Sequence, residues 1–144
     1  MNDRRRIEIL LVEDSPADAR LTDLAIKDSD ASIGLSIIKD GEEALAFLHK
    51  KGQYTDSPSP DFIILDLNLQ KRDGREVLAV IKGDEKLKHI PVAILTTSDD
   101  ETDIMDSYRM HANCYLIKPV GVDRFIEMIK FTTAFWFKTA KLPS

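Results

Sequence analysis

The chain reads as an α/β domain of three layers, a doubly wound (βα)5 arrangement with one parallel sheet in the order 2-1-3-4-5. Three observations predict it. Short apolar runs, too short for buried helices, recur five times along the 144 residues. Between them lie longer segments with apolar residues at three-to-four spacing, most of them opened by a capping residue or a glycine. The alternation has no repeat and no low-complexity stretch, so right-handed crossovers around a single sheet account for all of it.

The first strand is Ile7 to Val12, nearly all apolar, as a strand covered on both faces should be. Ser15 followed by Pro16 is an N-cap and first helical residue. They open a helix to about Asp28 whose inward positions read as Ala17, Leu21, Leu24 and Ala25. Leu35 to Ile38 is a weaker second strand, nearer an edge, and Gly41 opens a helix to about His49 with Ala44, Leu45 and Leu48 inward. Lys50 to Pro60, rich in Gly, Ser, Asp and Pro, is a loop. Phe62 to Leu65, four apolar residues bounded by Asp61 and Asp66, is the central strand. Asp73 and Gly74 lead into a helix carrying Val77, Leu78 and Ile81, closed by Gly83. Pro91 to Leu95 is the fourth strand, and acidic residues Asp99 to Asp103 crowd the start of a helix to about His111, complementing its dipole. Tyr115 to Ile117 is the fifth strand, and Val122 to about Lys138 the last helix.

The totals fit one domain over residues 1–144, with an arm at 1–6 and a tail at 139–144. Apolar residues are 43% and charged residues 31%, and the net charge of -5 argues against a nucleic-acid partner despite Arg4, Arg5 and Arg6. Cys114 is the single cysteine, which excludes an internal disulfide and a thiolate zinc cluster. No run has the roughly 20 apolar residues of a membrane span, and the amino terminus lacks a secretory core. A cytoplasmic protein with no membrane partner is expected.

In the order 2-1-3-4-5 the first and third strands flank the switch point, where open α/β sheets bind ligands. Glu13 and Asp14 leave the first strand there and Asp66 leaves the third. Clustered carboxylates repel unless a cation sits among them. Oxygen ligands without histidine or thiolate select a hard ion such as Mg²⁺, which keeps open positions for a phosphoryl oxygen. Asp66 is then a candidate nucleophile, Lys118 before Pro119 a counter-charge, and Thr96 a hydroxyl at the fourth strand's end. Singly each is a common cap, surface or turn residue. Four strand ends on one edge, each with a group the reaction needs, shift the balance.

The set Glu13-Asp14, Asp66, Thr96 and Lys118-Pro119 over five βα units resembles the receiver domain of two-component response regulators. That resemblance implies a flavodoxin-like fold and a phospho-accepting signalling domain, not a conventional enzyme, with self-catalysed phosphotransfer and autodephosphorylation. It implies Asp66 as phospho-acceptor and Mg²⁺ held by Asp14, Asp66, the backbone carbonyl of Asn68 and, through water, Glu13. Thr96 would turn to the phosphate, Lys118 would pair with it, and Tyr115 would swing between outward and buried rotamers. Asn68 and Ser98, near the site, are expected to tune hydrolysis. The string Asp66-Leu67-Asn68-Leu69, the segment Leu95-Thr96-Thr97-Ser98, the run His111 to Tyr115 and the Lys50 to Pro60 loop are similar to the stand-alone regulators that serve phytochromes. The implied partner is a phytochrome-type sensor histidine kinase. Gln70 departs from that pattern, which usually has Pro there, and removes no ligand.

Along the last helix Val122, Phe125, Ile126, Ile129, Thr133 and Trp136 share the face expected to meet the sheet. Met128, Phe131 and Phe135 keep helical spacing on nearly the opposite face, where a one-sided helix should be polar. They predict a homodimer or partner surface. Because the sequence stops at Ser144, no DNA-binding output domain is expected, and output falls to protein contacts or to a downstream phosphotransfer protein. Cys114 and the three histidines read as packing, surface or capping residues. Two rivals are weaker. A phosphatase with a strand-end Asp nucleophile expects an acid two positions on, where Asn68 stands, and a flavin module needs a Ser/Thr/Gly-rich phosphate loop where Glu13 and Asp14 stand.

Overall fold

The computed structural model describes residues 6–143. Most of the expected amino-terminal arm and the final Ser144 lie outside the described residues. Five parallel strands, β1 (Glu8–Val12), β2 (Gly34–Ile38), β3 (Phe62–Leu65), β4 (Val92–Thr96) and β5 (Cys114–Ile117), pair in the order β2-β1-β3-β4-β5. The helices are α1 (Pro16–Ser29), α2 (Gly41–Leu48), α3 (Gly74–Gly83), α4 (Glu101–Arg109) and α5 (Val122–Ala134). The expected architecture is the observed one, and the loop after α2 adds a 3₁₀ turn at Gly52–Tyr54.

Period two along the strands divides the core into two layers. Ile9, Leu11, Phe62, Ile64, Ala93 and Leu95 point to α1 and α5, where they meet Ala25, Ile26, Phe125 and Ile129. Their neighbours Leu10, Val12, Ile63, Leu65, Val92 and Ile94 point to α2 and α3, meeting Leu45, Leu48, Val77, Leu78 and Ile81. All four residues of β3 are buried, which is why the run between Asp61 and Asp66 is apolar without alternation. Each such side chain taken out of water contributes about 1.5–3 kcal/mol before chain entropy is subtracted.

Two helix faces differ from the sequence reading. In α1 the buried residues are Ala19, Thr22, Ala25 and Ile26, while Ala17 and Leu24 are exposed and Leu21 is half-buried. Thr22 can face the core because its hydroxyl donates to the Asp18 carbonyl at 2.8 Å, so no polar group is left unpaired. In α5, Phe125, Ile129 and Thr133 are buried as expected, but Val122 is exposed in the first turn. The helix also does not continue regularly to Lys138. It widens into a π turn at Phe135–Thr139, closed by the Ala140 N–H on the Phe135 carbonyl at 2.7 Å. That wider turn lets both Trp136 and Phe137 reach Phe62, with ring centroids 5.2 and 5.6 Å away. Among the described residues no helix is long and apolar enough to cross a membrane.

Candidate functional site

The sheet ladder itself delivers the strand-end residues to one edge. Val12 pairs with Leu65 and Leu65 with Ile94, so β1, β3 and β4 finish in register. The ladder runs one residue further on each side: the Asp66 N–H donates to the Val12 carbonyl (3.0 Å), Glu13 to Ile38 (2.9 Å) and Lys118 to Thr96 (2.7 Å). The Glu13, Asp66, Thr96 and Lys118 side chains therefore start from a backbone fixed by β pairing. Leu67, fully buried, draws the chain back into the core directly after Asp66. Gly74 at the start of α3 closes that loop by donating to the Leu67 carbonyl at 3.0 Å.

Carboxylate oxygens of Glu13, Asp14 and Asp66 lie within 4.8 Å of one another. Glu13 and Asp66 are buried and Asp14 is half-buried. Lys118, its side chain 8% exposed, places Nζ 2.8 Å from Glu13 Oε1, 2.8 Å from Asp18 Oδ2 and 3.3 Å from Asp66 Oδ2. The contacts to Asp18 and Asp66 are aligned hydrogen bonds. Glu13 Oε1 is close enough to attract the ammonium but lacks hydrogen-bond alignment, which leaves a buried oxygen with uncommitted lone pairs. Its other oxygen accepts the Ser15 N–H at 3.1 Å.

Three carboxylates thus face one ammonium, with Asp14 beside two of them, and the charges respond to it. Burial is the main force pushing the Glu13 carboxyl up to about 7, and the Asp66 charge adds to it against the opposing pull of Lys118. Burial alone would lower the Lys118 pKa, but its hydrogen bond to Asp18 and its close approach to Glu13, with the Glu13 and Asp66 charges, raise it instead. One lysine does not neutralise this cluster. A hard divalent cation fits it: the donors are all oxygens, they converge, and one of them is buried without an aligned donor. Glu13, Asp14 and Asp66 are the residues that would hold it.

Asp66 has both oxygens engaged, Oδ2 by Lys118 and Oδ1 by the Asn68 N–H at 3.0 Å. Thr96 is fully buried and its hydroxyl accepts Asn68 Nδ2 at 3.3 Å. Tyr115, half-buried against the core, donates its hydroxyl to the Ser98 carbonyl at 2.9 Å. Glu13, Asp14, Asp66, Asn68, Thr96 and Lys118 are therefore placed on this edge or on the loops that leave it, whereas Tyr115 lies within β5 and reaches the β4–α4 loop through its hydroxyl. The surface residues are placed differently: Phe131 is 78% and Phe135 50% exposed, but Met128 is half-buried against the core, so the stripe is narrower than its spacing suggests.

Sequence reasoning missed two parts of the edge. Asp18, in the first turn of α1, reads as a dipole-complementing acid, yet its carboxylate reaches Lys118. Its position three residues after the Ser15 cap, beside the switch point, was the available signal. Arg75 bridges α3 to α4, with Nη2 2.7 Å from Asp103 Oδ1, and Asp103 in turn accepts the Ser98 hydroxyl at 2.7 Å. Those two bonds hold the Asp103 carboxyl below its usual range, Ser98 more than Arg75.

A doubly wound sheet whose switch point gathers an acidic trio, a strand-end lysine and a buried threonine defines a receiver domain, and the chain belongs to that family. It matches the response regulator receiver domain over residues 9–130. It is 49% identical to the response regulator Rcp1 of Synechocystis sp. over 136 residues, covering 94% of this chain and 92% of that one. The Mn²⁺-bound form of Rcp1 superimposes with a TM-score of 0.92 at 48% identity, covering 96% of this chain and 99% of Rcp1. The phosphorylated cyanobacterial phytochrome response regulator RcpA gives 0.94 at 46% identity, covering 97% of this chain and all of RcpA (100%). The resemblance read from the sequence, including its nearness to phytochrome-associated regulators, agrees with these relatives.

Proposed function

We propose that this chain is a single receiver domain acting in the cytoplasm, which takes a phosphoryl group from a sensor histidine kinase onto Asp66 in a Mg²⁺-dependent reaction and signals through altered protein contacts. The observation that carries the reading is the meeting of Asp66 with Glu13, Asp14 and the Lys118 ammonium on one sheet edge. The similarity to phytochrome response regulators supports a phytochrome-type kinase as the donor.

In the transfer an Asp66 carboxylate oxygen attacks phosphorus, forming an acyl phosphate. The donor's P–N bond breaks, and its electron pair returns to the imidazole. With acetyl phosphate the bond that breaks is P–O, and acetate leaves. Mg²⁺, when bound by Asp14, Asp66, the Asn68 carbonyl and, through water, Glu13, supplies charge neutralisation for the transferring group. Lys118 moves the hydrogen bond it gives Asp66 onto a phosphoryl oxygen. Thr96 leaves Asn68 for the phosphate, and Tyr115 changes its packing beside Ser98. Hydrolysis of the acyl phosphate restores the resting protein.

The altered contacts fall on the face built from α4, β5 and α5. Val120, Val122, Phe131 and Phe135 are exposed there, and Pro119, Met128 and Phe131 line an open groove. Exposed aromatic residues on an otherwise ordinary helix favour self-association into a homodimer through the carboxy-terminal helix. Onward transfer to a downstream phosphotransfer protein is the other output of the same chemistry.

The test is incubation of purified protein with labelled acetyl phosphate and Mg²⁺. Wild type takes up label and Asp66→Ala does not; equal labelling of the two overturns the assignment.

A further inference from the structure

We propose that Asp18 is a positioning residue for phosphoryl transfer: from the first turn of α1 it anchors the Lys118 ammonium so that one of its N–H donors stays on the reacting carboxylate. The inference rests on Asp66 being the acceptor, as proposed above.

Lys118 has three N–H donors and, among the described residues, three carboxylates around it, of which two accept aligned hydrogen bonds. The one to Asp18 is the shorter, 2.8 Å against 3.3 Å for Asp66. Glu13 is near at 2.8 Å without that alignment. Among the described residues, Asp18 is also the one partner of Lys118 outside the converging group of Glu13, Asp14 and Asp66. A cation drawn into that group takes charge from Glu13 and Asp66, whereas the bond to Asp18 is left intact.

Both ends of the Asp18–Lys118 link are fixed. The Asp18 N–H donates to the Ser15 cap hydroxyl at 3.2 Å, and the Asp18 carbonyl accepts the fully buried Thr22 hydroxyl at 2.8 Å. Its carboxylate sits at the positive end of a 14-residue helix, which favours its charge. On the other side the Lys118 N–H is locked to the Thr96 carbonyl at 2.7 Å and Pro119 stiffens the following residue. The link spans 100 residues of sequence and leaves the ammonium little freedom.

When the Asp66 oxygen bonds to phosphorus and the donor's electron pair leaves with the donor, the N–H that Lys118 gave Asp66 passes to a phosphoryl oxygen. The N–H on Asp18 does not move. Without Asp18 the ammonium settles among Glu13 and Asp66, and the reacting carboxylate must compete for a donor out of place. Misplaced charge-stabilising groups of this kind cost about tenfold in rate.

Labelling by acetyl phosphate with Mg²⁺, which involves no kinase surface, provides the test in wild type, Asp18→Asn, Asp18→Glu, Lys118→Met and the Asp18→Asn/Lys118→Met double variant. The expected result is a loss of about tenfold for Asp18→Asn, partial recovery in Asp18→Glu, and no further loss when Asp18→Asn is added to Lys118→Met. A wild-type rate in Asp18→Asn overturns the proposal, and so does the same fold-loss in the Lys118→Met background, which would mark a purely structural role. Should Lys118→Met take no label, Asp18→Glu decides: a rate above that of Asp18→Asn supports the anchor, and an equal rate overturns it. Failure of wild type to label at all sinks the Asp66 reading itself, a separate outcome.

Discussion

Asn68 Nδ2 donates to the Thr96 hydroxyl at 3.3 Å, joining the loop after β3 to the end of β4. A fully buried threonine is thereby held at the strand end by a residue two positions beyond Asp66. One loop further, the Tyr115 hydroxyl rests on the Ser98 carbonyl at 2.9 Å. On the proposed reading, a phosphoryl group on Asp66 that draws Thr96 away from Asn68 would move the backbone on which Tyr115 rests. The prediction is that Thr96→Ala labels at Asp66 within about threefold of wild type, a barrier change below about 1 kcal/mol. Its Tyr115 ring resonances, however, no longer respond to phosphorylation. A full Tyr115 response in that variant contradicts the linkage.

Gly74 is required by contact, not by backbone angle. A Cβ there would lie 2.1 Å from the Asp66 carbonyl oxygen and 2.6 Å from the Leu67 Cα. Neither neighbour is a flexible side-chain end, so the loop has to shift. Gly74→Ala is expected to destabilise by about 1–3 kcal/mol and to slow labelling of Asp66, read by denaturant unfolding and by acetyl phosphate uptake. Wild-type stability would contradict this packing.

Glu13 makes the ion-free site sensitive to pH. Burial raises its pKa from 4.5 to about 7, so between those values the folded protein holds a proton that the unfolded chain has released. This group's contribution to stability therefore declines as pH rises from about 4.5 to about 7 and is level above that. A divalent cation displaces the proton, so its binding strengthens as pH rises through the same window. The rise in unfolding temperature on adding Mg²⁺ should be larger near about pH 8 than near about pH 6, and Glu13→Gln should flatten the difference. An equal rise at both values contradicts it.

The exposed pair Phe131 and Phe135 predicts the assembly state. Sedimentation should show a homodimer that Phe131→Asp converts to monomer, leaving the unfolding midpoint nearly unchanged because the side chain packs little within its own subunit. Wild type that stays monomeric with and without acetyl phosphate contradicts self-association through α5.

The strands were legible because a parallel sheet covered on both faces demands continuous apolar runs, as in Phe62 to Leu65. Strand order followed from the alternation, and with it the meeting of Glu13, Asp14 and Asp66. Helix faces were harder to read. Thr22 is buried because a local bond satisfies its hydroxyl, and Leu24 stays outside although it is the more hydrophobic of the two. The π turn after Ala134 could not be seen from spacing, since it changes the phase that the spacing assumes. Asp18 and Arg75 were missed for a different reason. Charged residues in a first turn are accounted for by helix ends, and only the folded chain shows that these two reach Lys118 and Asp103.

The central claim is that Asp66 accepts the phosphoryl group. Mass spectrometry of protein treated with acetyl phosphate and Mg²⁺, digested and mapped by peptide, tests it most directly. The account predicts one phosphoryl group per chain, on the peptide carrying Asp66, acid-stable and base-labile as an acyl phosphate is, and absent both from Asp66→Asn and after chelation of divalent ions. A phosphoryl group on any other residue, or undiminished uptake by Asp66→Asn, would contradict it.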